Sequence, residues 1–377
     1  MCGPSDPAVR PVPTRYTFFL SVAALCGACA TSARADIDPV SGIDFVTVGD
    51  VNNPAWTGGG FYTDNRGSVG YEFRIGRVEV TTSQWAEFMN AALDRPANDR
   101  LPHVFAPVLW SVQPVTPNNP GGQRFAVPAG NEMLPVGGVD WRTCAIYTNW
   151  LHNNKSFEHS AFLSGAYDVS TFGYLNGGSL FTDQITRSPG ARYWIPSLDE
   201  AMKASHWDPN KQNPDGTAGG WWTYNNSSDS EPVYGPAGVI VNGQFATANA
   251  GWDGFEFPGH NPFTVPLGAY TGVTSPYGLF DTAGGTREWT EGVVWLSDEP
   301  LPRERLSEGS GWVEGPFSTD LIDTPGGSGP PNFPWYDHGL RIAAAVPSPT
   351  WGSVAMISAL ASLLQRRRRT NANGCDT

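Results

Sequence analysis

Asp281 and Glu288 stand on either side of a double glycine in the stretch Tyr277-Gly-Leu-Phe-Asp-Thr-Ala-Gly-Gly-Thr-Arg-Glu-Trp-Thr-Glu291. Gly284 and Gly285 admit positive φ and a close approach of other backbone. The stretch therefore reads as a strand end, a tight turn and a strand start, with Trp289 as an apolar anchor. Two carboxylates flanking a turn whose carbonyls are exposed suit a hard cation such as calcium. The alternative is a buried hairpin carrying two solvated acids.

Other reactive groups are sparse. Of the five cysteines, Cys2, Cys26 and Cys29 lie in the N-terminal segment and Cys375 near the C-terminal end, leaving Cys144 in the body. One thiol makes neither an intramolecular disulfide nor a cysteine metal site. The six histidines, at 103, 152, 159, 206, 260 and 338, include no i, i+4 pair. No G-x-S-x-G nucleophile elbow is present.

The elements that must position the central stretch are short. Asp44–Val48 reads as a first strand, and Tyr71–Ile75 as a second that Gly76–Val80 continues. Thr81 and Gln84 form a capping box for a helix whose stripe is Trp85, Phe88, Met89, Ala92 and Leu93. Asp140 is an expected N-cap for a second helix, with Cys144 on its core face beside Trp141, Ala145, Thr148 and Leu151. Ser197 and Glu200 form another capping box before a third helix. Residues 94–134 show no strong pattern, 208–275 read as long loops, 295–329 as loop, and Gly339–Ala343 as the closing strand.

The chain has 377 residues, 16% of them charged, with 44 Gly, 33 Pro and 15 Trp. That composition favours a loop-rich α+β fold over a helical bundle. With no internal repeat and no clear linker, one domain is expected over residues 36–345. Arg10 and Arg15, an apolar run from Tyr16 to Ala30 and the small-residue site Ala33-Arg34-Ala35 read as a signal peptide over residues 1–35. At the other end Val346-Pro-Ser-Pro349 precedes an apolar run, Trp351–Leu364, and Arg366-Arg-Arg-Arg369. The run is shorter than the ~20 residues of a stable span, and the arginines would hold its end on the cytoplasmic side. The formal net charge is −13, and seven basic but only two acidic residues lie in the terminal segments, so the body is more acidic still. Such a surface repels nucleic acid and anionic membrane and tolerates divalent cations; a membrane is met only through the C-terminal segment.

The order of motifs resembles a known family. Arg77-Val-Glu-Val-Thr-Thr-Ser-Gln-Trp85, Pro135-Val-Gly-Gly-Val-Asp-Trp141, Tyr193-Trp-Ile-Pro-Ser-Leu-Asp-Glu200, the Tyr277–Trp289 stretch and Gly339-Leu-Arg-Ile-Ala343 follow one another as in the formylglycine-generating, or sulfatase-modifying-factor, family. The resemblance covers most of residues 44–343 and implies a C-type-lectin-like α+β fold. It also implies a calcium turn in which Asp281 and Glu288 give side-chain oxygens and Gly284 and Thr286 backbone carbonyls. Gly285 stands where the family commonly has Asn, and Arg287 where it has an aromatic. A second family calcium site falls near Asn249 and Asp253. The family's enzymes bind copper with a pair of late cysteines; residues 291–339 contain none, so neither a catalytic site nor copper is expected. The usual Arg-Gly-Gly-Ser-Trp segment survives as Glu308-Gly-Ser-Gly-Trp312. Relatives that bind iron use a histidine cluster from an added helical domain that this chain lacks. The last 25 or so residues resemble a PEP-CTERM sorting signal, processed by an exosortase, departing at Ser348 where Glu is usual; 346–369 would be that segment.

The functional expectation is an exported, non-catalytic module at the cell envelope or outside it. It would bind a glycan or protein ligand with calcium bracing its loops, and Trp221, Trp222, Tyr224 and Trp252 would offer sugar-stacking rings unless they are core. The alternatives are a formylglycine-type oxidoreductase acting on protein cysteine and a purely structural envelope protein.

Overall fold

The computed structural model describes residues 36–115, 124–250, 257–296, 298–312, 320–324 and 326–347. The signal segment, the tail from Ser348 onward, Trp252 and Asp253 lie outside the described residues. The fold is mixed α+β and loop-rich, with few helices. Four helices are present among the described residues: α1 (Thr82–Leu93), α2 (Trp141–His152), α3 (Ser160–Leu163) and α4 (Leu198–His206). None is long and apolar enough to cross a membrane.

Local chemistry sets the helix starts. Thr81 and Ser197 each close a reciprocal capping box, with Gln84 and Glu200, and the Asp140 side chain accepts from the Thr143 amide. Each supplies a partner to an amide the helix itself cannot satisfy. Trp85, Phe88, Met89 and Ala92 of α1 are buried. In α2 every residue from Trp141 to Leu151 is buried, so the expected one-sided stripe is a helix enclosed all round. Cys144 sits there as a core residue, and burial pushes its thiol well above the usual range, which makes it a poor nucleophile.

Five strands form an antiparallel sheet in the order Asp36–Ile37, Asp44–Val48, Phe73–Gly76, Ala343–Ala344, Tyr193–Trp194. Its inner face packs with α1 and α2 around Phe45, Phe73, Trp85, Trp141, Tyr147 and Trp150. A second sheet runs Gly327–Gly329, Glu304–Glu308, Arg287–Val294, His338–Gly339, the last pair parallel.

The expected strand at Asp44–Val48 is present with those bounds. Four other expectations change. The second strand ends at Gly76, because the chain turns there to reach the α1 cap. The closing strand Gly339–Ala343 is two short strands in two different sheets, with Arg341 between them. Residues 295–329 contain the strands Glu304–Glu308 and Gly327–Gly329. The 208–275 region holds two hairpins, Trp207–Gln212 with Ala218–Trp221 and Ile240–Val241 with Gln244–Phe245. Their glycines and polar residues hid the strand pattern. These strands depend on cross-strand partners more than on their own alternation.

Candidate functional site

The central stretch is not a hairpin. The strand begins at Arg287, and before it the chain runs through turns to an isolated parallel bridge between Gly284 and Asn249. Glycine is required at 284. Its φ is +75°, and a Cβ there would stand 2.5 Å from the Asn249 nitrogen. The Gly285 amide donates to the Asn249 carbonyl at 2.9 Å, and the Gly284 amide to Ser310 Oγ at 2.8 Å. Asp281 itself has φ +55°, a conformation an aspartate tolerates better than most residues.

Neither acid is simply solvated. Glu288 is buried and Asp281 half-buried. Glu288 Oε1 accepts from Arg341 Nε at 3.0 Å and Nη2 at 2.6 Å. Asp281 Oδ2 accepts from the Gly268 amide at 2.6 Å. The fold adds a third carboxylate. Glu79, from the turn before α1, accepts from the Thr286 amide through Oε1 at 3.3 Å. Its Oε2 has no hydrogen-bond partner, nor do Asn249 Oδ1 and Thr286 Oγ1. Glu308 pairs with Glu288 across the strands; its Oε1 meets His206 Nε2 at 3.3 Å, and its Oε2 is also without a partner.

This assembly is electrostatically unbalanced. Burial, then the Glu288 charge, drives the Glu79 carboxyl well above its usual range. Burial pushes Glu288 up to about 7, against the pull of Arg341 and with help from Glu308 and Asp281. Burial also raises Asp281, opposed by the Gly268 amide and by Arg341. One guanidinium thus serves three carboxylates. Among the described residues no three His, Cys, Asp or Glu side chains form a group that could hold a metal ion, so a cation here would rest on carbonyl oxygens beside at most two carboxylates. The all-oxygen donor set and its orphaned oxygens fit calcium in type.

Sequence reasoning placed Asp281, Gly284, Thr286 and Glu288 in one segment but missed Glu79 and Arg341. Both lie in quoted motifs, Arg77–Trp85 and Gly339–Ala343, read there only as strands. A charged residue inside an apolar strand-like run was the available signal, since such groups are rarely buried unless paired.

The second expected calcium site is half described. Asn249 is buried, with Nδ2 donating to the Pro262 carbonyl at 2.9 Å, while Asp253 lies outside the described residues. Of the expected stacking rings, Trp221 and Trp222 are engaged in packing and Trp252 lies outside the described residues. Trp221 stands edge-on to Trp207 with centroids 5.2 Å apart. Trp222 lies 3.9 Å beneath the Lys211 ammonium, while Tyr224 is half-buried, its backbone bridging to Ser228 and Leu321. In the Glu308–Trp312 segment Ser310 and Trp312 are buried, and Ser310 is bound to Asp320 through Oγ at 2.9 Å.

A family model described as "Sulfatase-modifying factor enzyme 1-like domain" matches residues 58–346. Among solved structures, one titled "Crystal Structure of CarF" is similar at 17% identity and TM-score 0.46, covering 81% of this chain and 99% of that one. Treponema denticola variable protein 1 is similar at 15% identity and TM-score 0.44, covering 80% and 95%. PvdO from Pseudomonas aeruginosa is similar at 15% identity and TM-score 0.42, covering 81% and 95%. No curated protein matches the chain.

Proposed function

The chain belongs to the sulfatase-modifying factor enzyme 1-like domain family, and on that premise we propose that it is a non-catalytic binding module, exported to the cell envelope, whose loops are braced by calcium. The observation that carries this reading is the surplus of buried carboxylate and amide oxygens at Glu79, Glu288 and Asn249 around the 281–288 turn. Asp281, Glu288 and the carbonyls of Gly284 and Thr286 would hold the ion, with Glu79 beside them as a neighbouring buried carboxyl. Calcium held there would supply positive charge to the cluster, whose turn already pairs with Asn249.

Two features argue for binding over catalysis. The body has a single thiol, Cys144, buried in α2 with its proton held, so it supplies no thiolate pair for a soft metal. Among the described residues the histidines are dispersed, His206 on Glu308, His338 on Asp337 and His159 on Asp99. The ligand is a glycan or peptide met outside the cytoplasm, and the tail is handled by sorting machinery at the membrane.

The test is a melt of the protein in excess EDTA and then in millimolar calcium, followed by glycan and peptide arrays in both conditions. A saturable calcium-dependent rise, lost in Asp281→Ala, together with a calcium-dependent ligand, is the expected outcome. No rise and no ligand would leave a structural envelope protein. Oxidation of a cysteine peptide, read by mass spectrometry, would overturn the non-catalytic reading.

A further inference from the structure

Phe61 is 88% exposed, a large apolar side chain with no burial of its own to explain it. It stands at the mouth of a cavity of about 360 Å³ whose lining includes Tyr62, Leu306, Asp323, Thr324 and Ser328. The loop that carries it is seated deliberately. Gly60 has φ +103°, and a Cβ there would lie 2.4 Å from the Asp323 carbonyl oxygen. Only glycine lets the loop settle onto residue 323 and bring the two aromatic residues to the cavity. Tyr62 is anchored against the Leu198, Met202, Leu306, Ile322 cluster. The two rings lie with centroids 4.7 Å apart at 88°, an edge-to-face contact.

Among the described residues that line this cavity, the charged one is Asp323. Leu306 pairs with Ser328 across two strands, and Glu304, two residues from Leu306, falls on the same face. Ser328 Oγ donates to Glu304, and Thr324 Oγ1 donates to Asp323 at 3.2 Å. The nearby guanidiniums are engaged elsewhere: Arg303 with Glu299, Arg66 with Asp199, and Arg287 with Asp337. Arg287 reaches Gly327 beside Ser307, which is the opposite face of the sheet. The Arg303 guanidinium also feels the Glu304 charge, so among the described residues Asp323 is the acid of this cavity left without a cationic partner. The exposed Phe61 ring adds the negative face of its quadrupole.

We propose that the Phe61–Tyr62 cavity binds an alkylammonium group, its methylenes on Leu306 and the Phe61 ring and its charge toward Asp323. This deepens the reading of the protein as a binding module and rests on it; the group is the ε-ammonium of a peptide lysine or the head of a free amine.

The full chain is titrated by calorimetry with Nα-acetyl-lysine methylamide, with putrescine, with the neutral Nα-acetyl-norleucine methylamide and with methyl β-glucoside. Both ammonium probes are expected to bind, more weakly as salt is raised, and the neutral pair not at all. Tighter binding of the lysine amide identifies a peptide, tighter binding of putrescine a free amine. Phe61→Ala should weaken the better probe roughly two- to fivefold, and Asp323→Asn about tenfold. Both residues are exposed, so both variants should melt with the parent. Equal binding of the norleucine or glucoside probe, no binding of either ammonium, or unchanged affinity in both variants would overturn the assignment. A ligand found on the arrays that ignores Phe61→Ala would sink this site and leave the module standing; empty arrays would sink the module itself.

Discussion

Two clusters of buried carboxylates in this protein are each gathered around one arginine, and they are completed to different degrees. In the first, Arg187 lies between Glu200 and Glu291. Glu200 Oε1 accepts from Tyr71 Oη at 2.8 Å and from Arg187, and its Oε2 from the Ser197 amide at 2.8 Å and from Trp194 Nε1 at 3.1 Å. Glu291 Oε1 accepts from Tyr167 Oη at 2.7 Å and the Arg187 amide at 2.6 Å, and Oε2 from Arg187 Nη1 at 3.2 Å. Every carboxylate oxygen has a donor. In the second, Arg341 serves Glu288 while Glu79 Oε2 and Asn249 Oδ1 have none. A saturated network is a structural joint; buried groups left unmatched are what a ligand completes.

Removing one carboxylate from the saturated cluster should have the largest effect. Glu200→Ala strips Arg187 of a partner and opens the α4 capping box, and should cost about 3–5 kcal/mol in denaturant melts, with or without calcium. A loss smaller than about 1 kcal/mol would mean this cluster is not the joint described. Calcium should act on the other cluster alone. At roughly 100 times its dissociation constant it should add ~2.7 kcal/mol, a shift of several degrees, retained in Glu291→Gln and absent in Asp281→Ala. An equal shift in both variants would erase the distinction between the two clusters.

The saturated cluster should still respond to pH. Burial pushes Glu291 up to about 7 from an ordinary 4.5, against the pull of Arg187 and the Tyr167 hydroxyl. Burial opposes the charge on Arg187, but Glu200 and Glu291 outweigh it and hold the guanidinium charged, so the proton taken up belongs to Glu291. Between pH 4.5 and 7 the folded state binds more protons than the unfolded chain. The contribution of Glu291 is therefore full below 4.5 and is lost as pH rises through 7, with a slope of at most ~1.4 kcal/mol per pH unit. Melting at several pH values should find that slope flattened in Glu291→Gln; an unchanged slope would assign it to another group.

The smallest expected effect is the sharpest discriminator. Glu79→Gln keeps an oxygen for the Thr286 amide and removes a carboxylate that burial already disfavours. Without calcium its stability should stay within about 1 kcal/mol of the parent, while its calcium shift should shrink. A large loss in EDTA would show that Glu79 is held by partners of its own.

Much of the scaffold is legible along the chain because its signals are local. Thr81 with Gln84, Asp140, and Ser197 with Glu200 start helices where they stand, since a cap is a contact across three residues. The apolar stripe of α1 and the strand at Asp44–Val48 follow from periodicity alone. The order of motifs carries the family. The second sheet is less legible. Glu304–Glu308 and Gly327–Gly329 contain charged residues and glycines, and they are strands only because each finds a partner already in place.

The central site divides along the same line. Its sequence determined two acids, two glycines and a strand after them, because these are properties of one segment. Tertiary structure decided the rest: Glu79, Asn249, Gly268, Ser310 and Arg341 arrive from five other places in the chain. Whether a buried carboxylate is a joint or an open site depends on how many donors reach it. Those donors are set by long-range packing, which no spacing within one segment contains.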